Sequence, residues 1–322
     1  MFARMAALVL TVFAFLQPAK AEYPDHAIRI IVPFAPGGGT DVLARIIAQN
    51  LGSKWGQSVV VENQPGASGA IGTRAVMNAA PDGYTLLMAS TGALMAVSAS
   101  ADASGPFDVN QYLSPIAIGA APPYLLVASP SLPVTTTADL IRYAREKPEG
   151  LTFGSSGVGA ASHLSGLLFA SQTGIKMLHV PYKGTEPAAT DLLGGRIDIM
   201  FAPGPVVQQF VKSGQLKALG VTDTQRSKFY PDVPTVADAV PGYESVGWFG
   251  LLAPAQTPSD IVHEINAVIV EAMQTQEFRD HLATLGAEPK PQTEEFGRYI
   301  NADVAKWSKV VKDNNVQLPG GK

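Results

Sequence analysis

The chain has no cysteine at all. That excludes disulfides, a lipid carried on an N-terminal Cys and any thiolate metal site. It also lacks positive excess: 23 Lys and Arg face 27 Asp and Glu, a net of −4, which speaks against a nucleic-acid partner. Its five histidines, at 26, 163, 179, 263 and 281, contain no one-turn pair of the kind that holds zinc. Beyond the first 21 residues no segment reaches 18 uninterrupted apolar positions, so no membrane span is expected in the remainder. What is present is a globular composition, 46% hydrophobic and 16% charged, over 322 residues. That length suits two ordinary domains, which can bury a core without cross-links.

Residues 1–21 read as a secretory signal peptide. Arg4 is a short basic start, Met5 to Leu16 is apolar, and Ala19-Lys20-Ala21 fits a small-x-small cleavage site. The mature chain is therefore expected to be exported and periplasmic, beginning near Glu22. Losing Arg4 and Lys20 makes its balance more acidic still.

The stretch from Ile28 to Leu51 organises the rest of the chain. A β-branched run ends at Pro33, three glycines (Gly37, Gly38, Gly39) come next, and a helical pattern begins at Asp41. A strand, a glycine turn and a helix start leave unpaired N–H groups facing outward at the positive end of a helix dipole. Such a place attracts a carboxylate, phosphate or sulfate. It is equally a tight turn that lets helix and strand pack closely. Asp41 itself is most simply a partner of the helix dipole.

The pattern then alternates. Strands are expected at 58–62, 84–89, 115–129 (broken at Pro122-Pro123), 151–153, 177–182, 196–201, 216–221 and 248–253. Helices are expected at 70–80, 138–147 (capped by Thr137), 163–172, 187–193, 206–212 and from Asp260 (capped by Ser259), with a last one opened by Thr293, Glu294 and Glu295. The fold class is α/β with parallel-rich sheets flanked by helices. Ligands in such sheets sit beyond the carboxyl ends of strands, which puts Phe34 to Thr40 and Ser90-Thr91 at one edge. The opening arrangement returns at Leu151-Thr152-Phe153, Gly154 to Ala160 and the helix from His163, as if two lobes faced each other across an anion.

Several motifs together resemble one family: Val32 to Asp41 (VPFAPGGGTD), Val60 to Gly66 (VVENQPG), Ala80 to Leu86 (APDGYTL), His179 to Gly184 (HVPYKG) and Asp191 to Gly195 (DLLGG). The chain is similar to the Bug-type receptors of tripartite tricarboxylate transporters over essentially its whole mature length. That resemblance implies a two-lobed periplasmic-binding-protein (Venus flytrap) architecture. Lobe one would be 22–123, lobe two 124–243, and 244–322 would return to lobe one. It implies a small carboxylic acid ligand (a di- or tricarboxylate or an aromatic acid), membrane transporter subunits as partners, a monomer, and neither cofactor nor metal. It places Phe34, Ala35, Gly38, Gly39 and Thr40 in the lobe-one loop with Ser90 and Thr91 beside it. Ser155, Ser156, Gly159, Ala160 and His163 would form the lobe-two helix start, and Tyr182, Thr185, Asp198 and Ala202 the remaining wall. There are departures: Leu167 stands where many relatives carry Glu, and Ala93 to Val97 replaces a usual His/Asn-containing stretch. If Leu94 or Met95 faces the pocket, an aromatic or alkyl acid gains ground.

The competing class is a secreted α/β hydrolase acting on a small ester. Gly154-Ser155-Ser156-Gly157-Val158 fails the Gly-x-Ser-x-Gly nucleophile pattern, because Val158 stands at the second glycine. His163 reads as a helix-start residue holding the loop. Asp198, a carboxylate on an apolar strand, needs partners and stands evenly between ligand contact and internal pairing.

Overall fold

The computed structural model describes residues 23–100, 108–289 and 295–317. The expected leader, and the helix opening at Thr293 and Glu294, lie outside these residues. Two five-stranded sheets, each with helices on both faces, make two lobes. The first sheet runs in the order β2 (Val59–Asn63), β1 (Ile28–Val32), β3 (Thr85–Ser90), β10 (Phe249–Pro254), β4 (Leu113–Ala120). The second runs β7 (Met177–Pro181), β6 (Leu151–Ser155), β8 (Ile199–Pro203), β5 (Tyr124–Ala128), β9 (Lys217–Val221). The layout is the same in both: a parallel trio, then one antiparallel strand, then a fifth. The sheets are thus mixed where simple alternation predicts parallel ones. In each, the odd strand follows a crossing between lobes: β5 after Pro122-Pro123, and β10 after the long connection from β9. These two crossings touch, through an antiparallel bridge between Pro123 and Val246.

Ten helices are described. They are α1 (Gly39–Trp55), α2 (Ala70–Met77), α3 (Thr91–Ser100), α4 (Thr137–Glu146), α5 (Ala161–Thr173), α6 (Thr185–Leu193), α7 (Gly204–Lys212), α8 (Ser259–Met273), α9 (Gln276–Thr284) and α10 (Phe296–Asp313). Two expected caps shift. Thr136, not Thr137, caps α4 by accepting the Asp139 N–H, while the Thr137 hydroxyl donates to the Leu219 carbonyl. Ser259 is the first helical residue of α8 after Pro258, which has fixed φ and no N–H to satisfy, and no side chain caps that helix. Glu295, at the start of α10, makes no capping bond either.

The alternation of Ile28, Ile30 and Val32 against Ile31 buries both faces of β1, as a central strand requires. Its first face packs with α1 and α8 around Leu43, Ile47, Ile265 and Ile269. On the other face one apolar cluster continues from Ile31 and Leu87 through Trp248, Phe296 and Trp307 to Phe153, Phe169 and Phe201 of the second sheet. Helix α10 packs on α3 and β4 of lobe one and on α5 of lobe two, so it touches both.

Candidate functional site

The lobe-one loop is built around Asp41. Its buried carboxylate accepts the Gly37 N–H at 3.0 Å, Arg45 Nε and Nη2 (3.0 and 2.9 Å) and the Asn63 amide at 3.0 Å. Asn63 also donates to the Phe34 carbonyl. Burial pushes the Asp41 carboxyl up, and the donors from Arg45, Gly37 and Asn63 outweigh it, holding it below the usual carboxylate range. Asp41 therefore shapes the loop and has its charge matched by Arg45. No side chain caps α1 at Gly38, so its first N–H groups lack intrahelical acceptors and stay available. Ser90 ends β3, and its Oγ accepts the Ala93 N–H at 3.4 Å as α3 begins.

The lobe-two loop is held from behind. Ser156 N–H donates to Ser162 Oγ at 3.0 Å, and the Gly159 N–H donates to His163 Nδ1 at 3.1 Å. Accepting that bond keeps His163 Nδ1 unprotonated. The ring stacks on His179 (centroids 3.8 Å, 17°), and both lie near Phe153. Burial, with the neighbouring His179, pushes His163 down to about 3; burial alone pushes His179 down to about 4. The two imidazoles are thus a neutral, packed pair beneath the loop.

The loops meet at a cleft of about 770 Å³ between the lobes. Phe34, Ala35, Gly38, Thr40, Ser90 and Thr91 line it from lobe one; Ser156, Gly159, Ala160 and Thr185 line it from lobe two. Four helix N-termini, those of α1, α3, α5 and α6, arrive there. Among the described lining residues there is no Lys, Arg or His, and Glu186 is the single charged side chain. A second concavity, of about 720 Å³, lies on lobe two alone; there Arg142 is bonded to Asp139 and Arg145 to the Thr173 carbonyl.

Six expected site residues do not line the cleft. Gly39 sits one residue back, with its α-carbon against the Phe249 ring, where an added methyl would come within 2.9 Å. Ser155 is fully buried as the last residue of β6; strand alternation turns its hydroxyl inward to His179 Nε2 at 2.6 Å and to the Gly157 backbone. His163 is buried beneath the loop it holds. Tyr182 donates to Asp191 at 2.8 Å. Ala202 is fully buried within β8. Asp198 precedes β8, at the end of the sheet opposite the cleft; it accepts from Thr152 N–H and Oγ1 (2.7 and 3.0 Å), with Lys147 Nζ at 3.5 Å. Leu94 and Met95 are core residues of α3 rather than cleft residues, and Leu167 packs against the same core.

Sequence reasoning missed Ser68, Tyr124, Glu186, Trp248 and Phe249, all of which line the cleft. The rule that ligands sit at carboxyl ends of strands hides the three aromatics. β5 and β10 run antiparallel, so their first residues stand at the ligand edge: Tyr124 opposite Pro203, Phe249 opposite Ser90. Glu186 was legible as a first-turn acid after Gly184, and Ser68 as the residue behind the NQPGA turn. Ser68 is held in the left-handed region (φ 55°), as is Ala67 (φ 47°).

A family model described as "Tripartite tricarboxylate transporter family receptor" matches residues 43–316. Protein BugT of Bordetella pertussis (strain Tohama I) is 37% identical over 304 residues, 94% of this chain and 93% of BugT. Among solved structures, R. palustris Rpa4515 with adipate is 36% identical, with a TM-score of 0.78 over 92% of this chain and 99% of that one. MatC (Rpa3494) from Rhodopseudomonas palustris with bound malate is 31% identical, with a TM-score of 0.74 over 90% of this chain and 100% of that one. These are receptors rather than enzymes, and nothing supports the hydrolase alternative. The chain belongs to the tripartite tricarboxylate transporter receptor family.

Proposed function

We propose that this protein is a periplasmic receptor that captures a small carboxylic acid between its lobes and delivers it to the membrane subunits of a tripartite transporter. One observation carries this reading: four helix N-termini converge on a cleft whose described lining holds no cationic side chain. Backbone N–H groups and helix dipoles supply positive potential without Lys or Arg. The N–H groups at Gly38 to Thr40 and those of Val158 and Ala161, which the loop's own bonds leave over, are the carboxylate contacts, with the Ser90 and Ser156 hydroxyls beside them. Phe34, Tyr124 and Phe249 offer an apolar wall for the carbon skeleton. The adipate and malate of the related structures point to short dicarboxylates.

The protein acts as a monomer. Its leader is 1–21, and its lobes are 22–123 with 244–322, and 124–243; the sheet membership of β10 supports that division. No helix among the described residues is long and apolar enough to cross a membrane. An acid touching lobe one alone gains nothing from closure, whereas one that also meets Ser156 to Ala161 favours the closed form. Each charge-assisted hydrogen bond contributes roughly 1.5–3 kcal/mol, so two or three suffice to reverse an open population.

The test is calorimetry with a panel of aliphatic and aromatic acids beside their amides, together with small-angle scattering. Acids should bind, amides should not, and the radius of gyration should fall on saturation. Equal binding of an amide, or an acid bound without compaction, would overturn the clamp.

A further inference from the structure

The four helix N-termini at the cleft differ in the charge that stands against them. α1 has Asp41, whose charge Arg45 matches. α6 has the exposed Glu186, and α5 has no acid in its first turn. α3 has none of its own, but α10 brings one to it. Asp303, 8% exposed, accepts the Thr91 hydroxyl on Oδ2 at 3.1 Å, Trp248 Nε1 on the same oxygen at 2.8 Å, and Trp307 Nε1 on Oδ1 at 2.8 Å. Lys306, nearby on α10, sends its ammonium to the Glu244 carbonyl at 2.6 Å and over the Trp307 ring at 4.6 Å, not to the carboxylate.

Thr91 and Trp248 border one wall of the cleft from just beneath its surface, 3% and 0% exposed. A hydroxyl and an indole N–H each have one hydrogen, and both are directed backward into Asp303. The wall therefore has no side-chain donor left for a ligand carboxylate. It also has a buried carboxylate directly behind it, which opposes the positive potential of the α3 terminus. Lys306 offsets that charge only through space, and the α1 and α5 termini carry no buried acid that lacks an ion-paired cation.

We propose that Asp303 is a specificity-determining positioning residue. Through Thr91 and Trp248 it excludes an anionic group from that wall, which instead takes a hydroxyl, an ammonium or a bare methylene of the ligand. This rests on the carboxylate reading above and narrows it: two carboxylates are held at α1 and α5, and a third is refused. The cleft suits a dicarboxylate, with or without a hydroxyl or amino substituent, and not a tricarboxylate.

Matched acids on one skeleton test this. Glutarate, 3-hydroxyglutarate, 3-aminoglutarate and propane-1,2,3-tricarboxylate differ only in the group on the middle carbon; succinate, malate, aspartate and ethane-1,1,2-tricarboxylate form the shorter set. In the wild type, the tricarboxylate of the better-binding set should bind at least about tenfold more weakly than its dicarboxylate parent, while the hydroxy or amino acid should not. Asp303→Asn should bring the tricarboxylate-to-parent ratio to within about threefold, a change that general loss of affinity would not produce. Thr91→Val leaves Asp303 in place, and serves if Asp303→Asn does not fold. It should lower the affinity of the hydroxy acid relative to the parent and keep the tricarboxylate penalty; Thr91→Ser should restore the hydroxy-acid ratio. A tricarboxylate bound as well as its parent by the wild type, or ratios unmoved by either substitution, would overturn the inference alone. Failure of every carboxylate to bind would instead overturn the receptor reading beneath it.

Discussion

Acid should destabilise this protein before its carboxylates titrate, because of the two stacked imidazoles under the lobe-two loop. In the folded state His163 and His179 are pushed down to about 3 and about 4. In the unfolded chain both return to about 6.5. The folded form thus binds fewer protons throughout the interval between, and stability falls as pH drops from about 6.5 toward about 4. At about pH 5, protonating one released imidazole favours the unfolded chain by about 2 kcal/mol, and two by about 4 kcal/mol. Solvent at the half-buried His179 and coupling between the rings reduce that sum, leaving roughly 2–4 kcal/mol. For a chain of this size the melting temperature should drop by roughly 3–6 °C between about pH 7 and pH 5. The assay is thermal unfolding across that range for the wild type, His163→Gln and His179→Gln, with each variant referred to its own value at neutral pH. Each substitution should remove about half of the slope. A wild-type melting temperature that is flat over the interval, or a slope that survives both substitutions, would refute the reasoning.

Three further outcomes rest on particular contacts. Gly38 has ordinary extended backbone angles (φ −74°, ψ 166°), and a Cβ there meets nothing within 4 Å, so Gly38→Val should leave the melting temperature nearly unchanged. The new methyls enter the cleft, and calorimetry should show affinity for a bound acid falling by about tenfold or more. Asp41→Asn turns an acceptor of four hydrogen bonds into a group with donors facing donors; denaturant titration should show a loss of about 2–4 kcal/mol, with ligand binding weakened as the loop loosens. Phe296→Ala empties a fully buried ring site against Trp248 (centroids 5.5 Å) and should cost about 3–5 kcal/mol by the same measurement.

Much of the fold was legible because its signals are local. The run Ile28 to Val32 and the glycines after it announce a strand, a turn and a helix start within a dozen residues, and the second lobe repeats the device. What was not legible depends on direction. A strand pattern does not say which way the strand runs in its sheet, so Trp248 and Phe249 looked like the remote end of a strand and stand at the cleft. Asp198 failed for the same reason in reverse: it enters β8 at the edge away from the ligand. Ser155 and Ser156 are adjacent, yet one faces inward to His179 and the other outward to the cleft. Where the strand ends decides between them, and a single residue of error in that boundary exchanges their roles. Asp303 was invisible because its partners, Thr91 and Trp248, come from distant parts of the chain.

The position of β10 has a consequence for how the chain is made. This strand lies inside the first sheet, between β3 and β4, although it is synthesised after all five strands of the second. A nascent chain ending before Phe249 therefore has every strand of the second sheet but leaves β3 and β4 with facing, unpaired edges. Such edges recruit other strands. The second lobe is contiguous in sequence and can close from local contacts, while the first must wait for a long-range insertion, the slower kind of step. Chains truncated before Phe249 should aggregate through the first lobe, because the strand that completes its sheet is made after every strand of the second.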